Sequence, residues 1–308
     1  MLLIMKEEII NGIRYRLNGG TLTAEVIKKN EGCEGEIIIP KTVVFNELTY
    51  RVTSIGEEAF EDCDGLTSIV IPEGLKSIGA NAFSGTSLAS VVIPDSMTSI
   101  GERAFAGSCL ASVVIPDSVT SIGEGAFAGS CLASVVIPDS VTSIGEGAFA
   151  CTSLASVVIP NSVTSIGERA FAGSSIRSVV IPDRVMSIGE RAFEECLDLA
   201  SVVIPDSVQS IGKYAFHRCT SLKAISIPNS VMIVEEGAFF RCTSLKIIAI
   251  PSNAIIVERG AFLNCDSLQA IRYGGTVEQC KRRYRYWDDI SFHNKTVYCI
   301  DDDVTIRF

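Results

Sequence analysis

A 22-residue stretch that recurs almost unchanged restricts the fold of this chain more than any other feature. Residues 112–133 read SVVIPDSVTSIGEGAFAGSCLA, and residues 134–155 repeat this sequence with three changes. The preceding block, residues 90–111, differs from it at two positions. A short period of this kind is typical of stacked repeat proteins, in which each coil contacts only its neighbours. The repeat therefore predicts a solenoid, and it outweighs the one or two globular domains that a length of 308 residues would suggest.

Ten Ala-Phe pairs extend the array beyond these near-identical copies. Their phenylalanines are spaced by 22 or 23 residues, and all ten prolines of the chain follow an isoleucine. The ten phenylalanines are Phe60, Phe83, Phe105, Phe127, Phe149, Phe171, Phe193, Phe216, Phe239 and Phe262. The difference of one residue falls in the loop after Phe, where a change in length leaves stacked strands undisturbed.

The alternation of side chains within one copy predicts a short strand. In residues 222–228, Ile225 and Ile227 point to one side while Ala224 and Ser226 point to the other. Proline ends the strand because it cannot donate to a ladder, and Pro-Asp-Ser or Pro-Asn-Ser then makes a turn. Val-Thr-Ser-Ile is a second short extended piece, and Glu-x-Ala-Phe is expected to form a single helical turn whose Phe fills the core. Copies stacked at about 4.8 Å would form parallel sheets.

The first 51 residues do not follow the repeat and are predicted to form an N-terminal β cap. Residues 12–17 and 21–27 alternate around an Asn-Gly-Gly turn, which predicts a hairpin. Residues 36–40 and 48–55 are predicted as further strands. A segment of this kind covers the open apolar face of the first coil in a repeat array.

The repeat pattern L-x-x-I-x-I-P-x-x-V-x-x-I-G-x-x-A-F-x-x-C resembles the BspA-type leucine-rich repeats. The resemblance covers residues 52–272, and residues 66–83 and 222–242 match the pattern closely. Repeats three to seven depart from it, because they are one residue shorter and lack the cysteine three positions after Phe. The resemblance implies a leucine-rich-repeat solenoid of the α/β class, with mostly short parallel strands and short helical turns.

The last 36 residues also resemble the C-terminal end of that family and are predicted to form a helical cap. Thr276 and Gln279 have the spacing of a capping box at the start of a helix. The expected organisation is therefore an N-terminal cap at residues 1–51, repeats at 52–272 and a C-terminal cap at 273–308.

Charge and composition exclude several classes of function. The formal net charge of −10 disfavours nucleic acid and anionic membranes as partners, since both attract Lys and Arg. No apolar run approaches the ~20 residues of a membrane-spanning helix, so membrane insertion is not expected. Residues 1–5 are apolar but Lys6 follows at once, so no signal peptide is visible. Either the protein is cytoplasmic or a targeting segment lies outside this chain; the family resemblance implies a cell-surface or secreted location.

Cysteine usage has two readings. Five of the 11 cysteines share one repeat position. A ladder of this kind could bind metal or form disulfides, or it could simply pack in the core. These five are Cys63, Cys196, Cys219, Cys242 and Cys265. Three others lie in the shortened loop: Cys109, Cys131 and Cys151. Because ladder side chains point in parallel and cysteine behaves as a small buried hydrophobe, we interpret the five as core residues. A disulfide among Cys33, Cys280 and Cys299, which lie outside the array, stays open.

Two acidic rows recur with the repeat. The residues that follow proline are Asp95, Asp117, Asp139, Asp183 and Asp206, with Asn161 and Asn229 in two copies. A carboxylate row suits calcium, but turn chemistry explains Asp and Asn equally well, and we expect no metal site. The second row consists of Glu57, Glu102, Glu124, Glu146, Glu168, Glu190 and Glu236. We interpret it as a solvated face that Arg103, Arg169 and Arg191 partly neutralise.

No catalytic set or cofactor motif is recognisable, so neither enzymatic activity nor a cofactor is expected. The two histidines, His217 and His293, lie in a repeat loop and near the C-terminus. Residues 281–287, KRRYRYW, form a basic aromatic cluster. The cluster could contact nucleic acid or an acidic partner, but we interpret it as the basic face of a cap helix.

The outward strand positions are the candidate partner-binding surface. They are Ser90, Val92, Ser112, Val114, Ser134, Val136, Ser156, Val158, Ser178, Val180, Ser201 and Val203. Contiguous exposed apolar surface marks interaction, although valine is also favoured by strand propensity alone. We therefore expect a non-enzymatic scaffold that binds a protein. The family resemblance implies a bacterial adhesin for host or extracellular-matrix proteins.

Two alternatives to that function remain. The first is a structural or self-associating repeat protein without a dedicated ligand. The second is ice binding by the ladder of Thr-Ser pairs that begins at Thr98 and Ser99, which Met186 and Gln209 interrupt.

Overall fold

The computed structural model describes residues 5–28, 33–253, 256–283 and 296–305. The chain divides into two compact units, Met1–Ser153 (unit 1) and Leu154–Phe308 (unit 2). Each unit is built from short strands that recur once or twice per coil, and the two units together contain about ten coils. One α-helix occurs among the described residues.

Unit 1 begins with six strands that precede the repeats. These are β1 (Met5–Ile10), β2 (Ile13–Asn18), β3 (Thr23–Val26), β4 (Glu34–Ile38), β5 (Thr42–Phe45) and β6 (Leu48–Ile55). Strands β2 and β3 pair in the antiparallel sense, which confirms the predicted hairpin, and β1 and β5 are additional strands. Tyr15 of β2 is fully buried, and its burial raises the pKa of its hydroxyl to about 12.

The coils of unit 1 contribute two kinds of strand. The first kind ends in isoleucine and forms the Ser-Ile ladder: β8 (Ser77–Ile78), β9 (Ser99–Ile100), β11 (Ser121–Ile122) and β13 (Ser143–Ile144). The second kind lies on the sheet face: β7 (Gly65–Val70), β10 (Ser112–Val114) and β12 (Ser134–Val136). Parallel pairing runs without a break from β6 through β13 in the ladder, whereas β10 pairs with β12 and, through a single bridge, with Ser90. The Ser-Ile strands, which the sequence predicted only as a second short extended piece in each coil, thus form the more continuous sheet.

Unit 2 repeats this arrangement. Its Ser-Ile ladder contains β14 (Ser165–Ile166), β16 (Ser187–Ile188), β18 (Ser210–Ile211), β20 (Ile233–Val234) and β22 (Ile256–Val257). Its sheet face contains β15 (Ser178–Val180), β17 (Ser201–Val203), β19 (Ala224–Ser226), β21 (Ile247–Ile250) and β23 (Ala270–Tyr273). Helix α1 (Val277–Arg283) and strands β24 (Thr296–Tyr298) and β25 (Asp303–Thr305) follow.

The Glu-x-Ala-Phe segments form turns, not helical turns. The residue between Glu and Ala has a positive φ in the coils, 49° at Arg103 and 56° at Gly125. A left-handed residue cannot continue a right-handed helix, so the chain turns instead. The amides then bond between coils, as when Phe105 N donates to Ala126 O at 2.8 Å. The expectation of a mixed α/β solenoid is therefore not confirmed, and the fold is a β-solenoid with almost no helix among the described residues.

The C-terminal segment combines the short helix with two strands. The amide of Thr276 donates to Gln279 Oε1 at 2.9 Å, and the amide of Gln279 donates to Thr276 Oγ1 at 3.2 Å, which confirms the predicted capping box. The described part of the helix covers seven residues, and β24 pairs in parallel with β23 and antiparallel with β25. The description of this cap as helical is therefore not confirmed. The three-part division of the chain stays a prediction.

The phenylalanines of the Ala-Phe pairs form the core, as predicted. All ten rings are buried. In unit 1 the five rings from Phe60 to Phe149 stack with centroids 5.2–5.5 Å apart and planes within 9°. In unit 2 the five rings from Phe171 to Phe262 stack at 5.0–5.4 Å. Burial of large aromatic side chains at this density dominates the energetics of a core, so each coil depends on its neighbours' rings.

The glycine after each Ser-Ile pair is explained by the spacing of the coils. A Cβ built at Gly101 would lie 2.7 Å from the carbonyl carbon of Gly79, and one built at Gly123 would lie 2.8 Å from that of Gly101. A side chain at this position would collide with the backbone of the preceding coil, which explains why the motif contains Gly there.

Candidate functional site

The candidate surface in unit 1 consists of the outward side chains of β10, β12 and the neighbouring coil. Ser112, Val114, Ser134 and Val136 are all exposed. The residues between and after them, such as Val113 and Ile115, are buried. The strand alternation therefore separates core from surface as the sequence predicted, except that Val135 is only half-buried.

The candidate surface in unit 2 shows the same alternation on three coils. Val158, Val180 and Val203 are exposed, and so are the three serines two residues before them. Across both units the six outward valines keep 56–82% of their surface accessible. A buried valine of a core is nearly inaccessible, so these six side chains contribute apolar surface to solvent in each unit.

A groove lies on the sheet face of unit 2, beyond the last valine of the stripe. It has a volume of about 590 Å³ and is lined by residues of β17, β19, β21 and β23. The outward residues follow each other in register: Ser226 of β19 lies beside Ala249 of β21, which lies beside Arg272 of β23. Because Ser226 and Ala249 are small, the surface between Val203 and Arg272 is recessed.

Strand β24 extends this row with a residue that sequence analysis missed. Tyr298 lies beside Arg272 in the parallel pairing of β23 with β24, and its side chain is exposed. A second cavity, of about 460 Å³, is lined by both residues together with Ile300. Arg272 occupies the outward position of the repeat pattern and was predictable, but Tyr298 lies outside the repeat, where no periodic signal marks its neighbours.

The profile described as "BspA type Leucine rich repeat region (6 copies)" matches residues 42–150, 76–200 and 186–286. Together these matches span well over half of the chain.

The chain belongs to the BspA-type leucine-rich repeat family.

Three solved structures are similar to this BspA-type chain. The pneumococcal vaccine antigen PcpA is 18% identical, with a TM-score of 0.53 over 96% of this chain and 99% of its own. A leucine-rich cell surface protein from Faecalibacterium prausnitzii is 27% identical, with a TM-score of 0.47 over 90% and 97%. A leucine-rich repeat protein from Bacteroides ovatus is 26% identical, with a TM-score of 0.45 over 97% and 100%. No match is found among curated proteins. The likeness to PcpA supports the assigned fold.

The cysteines at the repeat position of the BspA-type pattern are buried, as predicted. The thiol of Cys219 donates to Phe193 O at 3.2 Å and that of Cys242 donates to Phe216 O at 3.1 Å, in each case a carbonyl of the preceding coil. Burial raises the pKa of both thiols well above the ordinary value, and the neighbouring cysteines add to the effect. These side chains are therefore held as neutral core groups.

The cap cysteines occupy different environments. Cys280, on α1, is buried and Cys299 is half-buried. Burial, followed by the charge and hydrogen bond of Cys299, raises the pKa of the Cys280 thiol to about 12. The structure thus brings together two of the three cysteines for which pairing was left open, both as thiols.

The aspartates of the BspA-type repeats lie exposed in closed turns. In one such turn the amide of Val119 donates to Pro116 O at 3.0 Å, with Asp117 at the tip. The serine after Asp bonds to the preceding coil, as when Ser140 Oγ donates to Val119 O at 2.6 Å. Within the described ranges, no group of three or more His, Cys, Asp or Glu side chains is arranged to hold a metal ion.

The Glu row is exposed or half-exposed, and part of it is neutralised. Arg169 pairs with Glu168 at 2.9 Å and Arg191 with Glu190 at 3.3 Å. Ion pairs between exposed groups contribute at most about 1 kcal/mol, so this row is a solvated face.

His217 belongs to a packed surface cluster of unit 2. Its Nδ1 lies 2.9 Å from Glu194 Oε1, and its ring stacks on Phe240 with centroids 5.2 Å apart. Tyr214 packs edge-on against the same ring at 5.6 Å. The imidazole is thus held between aromatic rings and a carboxylate.

The basic aromatic cluster is described only in part. Lys281 and Arg282 are exposed on α1, where Arg282 pairs with Glu278 at 2.5 Å. Residues 284–287 and His293 lie outside the described residues. In the part of the chain that the structure covers, no helix has the length and apolar character needed to cross a bilayer.

Proposed function

We propose that this BspA-type protein is a non-enzymatic scaffold that binds a protein partner through the sheet face of its coils. The observation that supports this proposal is the exposure of the outward valines in both units. A surface valine repeated coil after coil gives contiguous apolar area, which in soluble proteins marks interaction sites. Each unit presents three such valines about 4.8 Å apart, and the flanking serines add small polar groups that can donate and accept hydrogen bonds.

The proposal includes an adhesin role at a cell surface, which is what the family resemblance implies. The partner would then be a host or extracellular-matrix protein. A protein–protein interface combines a central apolar patch with a polar rim. The valine rows with their serines, and the exposed acidic turns beside them, suit that description.

Charge insertion tests the proposal. Val114→Glu combined with Val158→Glu places one carboxylate on each unit's sheet face. We expect the double variant to fold, because both side chains are exposed. We expect it to bind a partner from a panel of purified extracellular-matrix proteins at least tenfold more weakly, a loss of about 1.4 kcal/mol. Binding is measured by surface plasmon resonance and folding by circular dichroism.

The matched control carries the same two charges on another side of the coils. Thr120→Glu with Met186→Glu adds one carboxylate to an exposed residue of each unit beside the Ser-Ile ladder. We expect this control to bind as the wild type does. Equal loss in both variants would assign the effect to net charge, and unchanged binding by the Val variant would reject the sheet face.

Light scattering at several concentrations distinguishes partner binding from the alternative function, a self-associating repeat protein. Wild-type dimers that dissociate in the Val114→Glu/Val158→Glu variant would favour a self-associating repeat protein that uses the same surface.

A further inference from the structure

The sheet face of unit 2 changes character after Val203. The next outward residues are Ser226 and Ala249, which are small, and then Arg272 and Tyr298, which are large. Unit 1 has no such change in its described coils, where serine and valine alternate from Ser90 to Val136. The near-identical repeats therefore give way, at one end of unit 2, to a surface with its own shape and charge.

The recess above Ser226 and Ala249 has the dimensions of a binding site. Its volume of about 590 Å³ falls in the range of ligand cavities. Pro228 and Pro251 stand along one side, where the chain turns at the end of each strand. Proline leaves no amide to donate and has a fixed φ, so these two residues form an apolar and rigid part of the side wall.

Opposite charges stand at the two ends of the recess. Arg272 is exposed at one end, and Asp206 is exposed at the other, in the turn that follows β17. Neither side chain forms an ion pair or a side-chain hydrogen bond with any residue in the described ranges. Three coil spacings of about 4.8 Å separate the coils that carry them, about 14 Å in all. An extended peptide needs at least about four residues to cover that distance.

We propose that this groove binds an extended segment of a protein partner that carries both an acidic and a basic residue, with the carboxylate of the segment paired to Arg272. The guanidinium offers two parallel N–H donors, which match a carboxylate and discriminate it from a neutral group. Asp206 places a basic or amino group about four residues away along the segment. Tyr298 lies next to Arg272 and gives an aromatic surface beside the ion pair, and Tyr and Arg are the residue types that dominate binding energy at interfaces.

This inference rests on the proposed function, since it names the chemistry of what the sheet face of unit 2 recognises. It differs from that proposal in its residues. The valine rows supply apolar contact along both units, whereas Arg272 and Asp206 supply selectivity at a single place. Nucleic acid also carries anionic groups, but it has no cation to place against Asp206, so a peptide that carries both an acidic and a basic residue is the occupant that the two charges favour.

Selection from random heptapeptides displayed on phage tests the inference with the full-length protein as bait. We expect the recovered peptides to be enriched in Asp or Glu and to carry Lys or Arg about four residues away. A synthetic copy of the most frequent peptide should bind at least tenfold more weakly to Arg272→Glu than to the wild type. Replacing its acidic residue by the amide, Glu by Gln or Asp by Asn, should weaken binding to the wild type by a similar factor. Fluorescence anisotropy gives both measurements.

Arg259→Glu is the matched control, because Arg259 is also exposed in a late coil but does not line the groove. We expect it to bind the peptide as the wild type does. Recovered peptides without acidic enrichment, unchanged binding by Arg272→Glu, or no retained peptide would each overturn the inference. If Val114→Glu/Val158→Glu still loses the protein partner while Arg272→Glu does not, the scaffold proposal stands and the groove proposal fails.

Discussion

The short, 22-residue coils and the long, 23-residue coils place different atoms at the same buried position, three residues after Phe. In the short coils that residue is a serine or threonine whose hydroxyl donates to the phenylalanine carbonyl of its own coil, as Ser130 does to Phe127 O at 2.7 Å. In the long coils it is a cysteine, and the thiol of Cys219, for example, donates to Phe193 O of the preceding coil. The side chain at this repeat position thus finds a hydrogen-bond acceptor in two ways, in its own coil or in the preceding one.

The place where the two coil types meet lies inside unit 2. Ser174 Oγ donates to Phe171 O at 2.7 Å, and the thiol of Cys196 in the next coil reaches the same carbonyl at 3.2 Å. Sulfur is larger than oxygen and a weaker donor, so it fills more of the core and bonds at a longer distance. The comparison teaches that the extra residue in the loop accompanies a change from a polar to a largely apolar filling, while the phenylalanine stack continues in each unit.

The largest expected effect is one that both coil types share. Phe149→Ala in a short coil and Phe216→Ala in a long coil should each lower the free energy of unfolding by about 3–5 kcal/mol, because each removes a fully buried ring and leaves a cavity. Each ring also stacks on a neighbour in its unit, at 5.5 Å from Phe127 and 5.2 Å from Phe239. Urea unfolding followed by circular dichroism measures the loss.

Val114→Ala provides the control for this pair, since Val114 is exposed and its truncation should change stability by less than about 0.5 kcal/mol. A melting temperature lowered by only about a degree in either Phe variant would contradict the stacked core, because a loss of 1 kcal/mol already shifts a domain of this size by about 2–4 °C.

The core of these coils was predictable from the sequence, and their turns were not. The spacing of the Ala-Phe pairs and the alternation in Leu222–Pro228 identify buried side chains directly, since a two-residue period assigns each residue to a face. The Glu-x-Ala-Phe segment looked helical because glutamate and alanine favour helices. Contact with the adjacent coil overrides that preference, and it places residues such as Arg103 at positive φ so that their amides bond to the next coil.

The candidate site was predictable only as far as the repeat extends. Periodicity places Val203 and, two coils later, Ala249 on the outward side. The recess between Val203 and Arg272 was therefore predictable from the residues that occupy this one repeat position in successive coils. Tyr298 could not, because a strand outside the repeat joins the sheet at a register that no period specifies. The proximity of the Cys280 and Cys299 thiols likewise depends on how the segments after the repeat fold.

Thiol labelling gives the next largest difference between the coil types. Cys109, Cys131 and Cys151 of the short coils are exposed and should react within minutes with an alkylating reagent at neutral pH. Cys196, Cys219, Cys242 and Cys265 are buried and should react at least about a hundredfold more slowly, since labelling requires local opening. Mass spectrometry of labelled peptides, native against denatured, measures both rates.

The pH dependence of labelling follows from the raised pKa values. A thiol with a raised pKa stays protonated to higher pH, and the thiolate is the reactive form. Raising the pH from 7 to 9 should therefore leave Cys219 and Cys242 unlabelled in the folded protein. Fast labelling of either residue at pH 7, or a disulfide between them, would contradict their assignment to the core.

The smallest expected effect tests whether the two ways of filling the repeat position are interchangeable. Ser130→Ala removes a hydroxyl that donates to Phe127 O, but that carbonyl still accepts from the amide of Ser130 at 3.2 Å. We therefore expect a loss of only about 0.5–1.5 kcal/mol, the net value of one hydrogen bond.

Cys219→Ser makes the reverse exchange in a long coil. The amide of Cys219 already donates to Phe216 O at 3.2 Å, in the same turn geometry that Ser130 has with Phe127 O. A serine hydroxyl at position 219 therefore has its own coil's carbonyl within reach, and we expect this variant to lose no more than about 1 kcal/mol in urea unfolding. A loss above about 3 kcal/mol would mean that the hydroxyl is buried without a partner. The longer loop would then determine whether a hydroxyl or a thiol can occupy this position. Serine and cysteine would not be interchangeable between the two coil types.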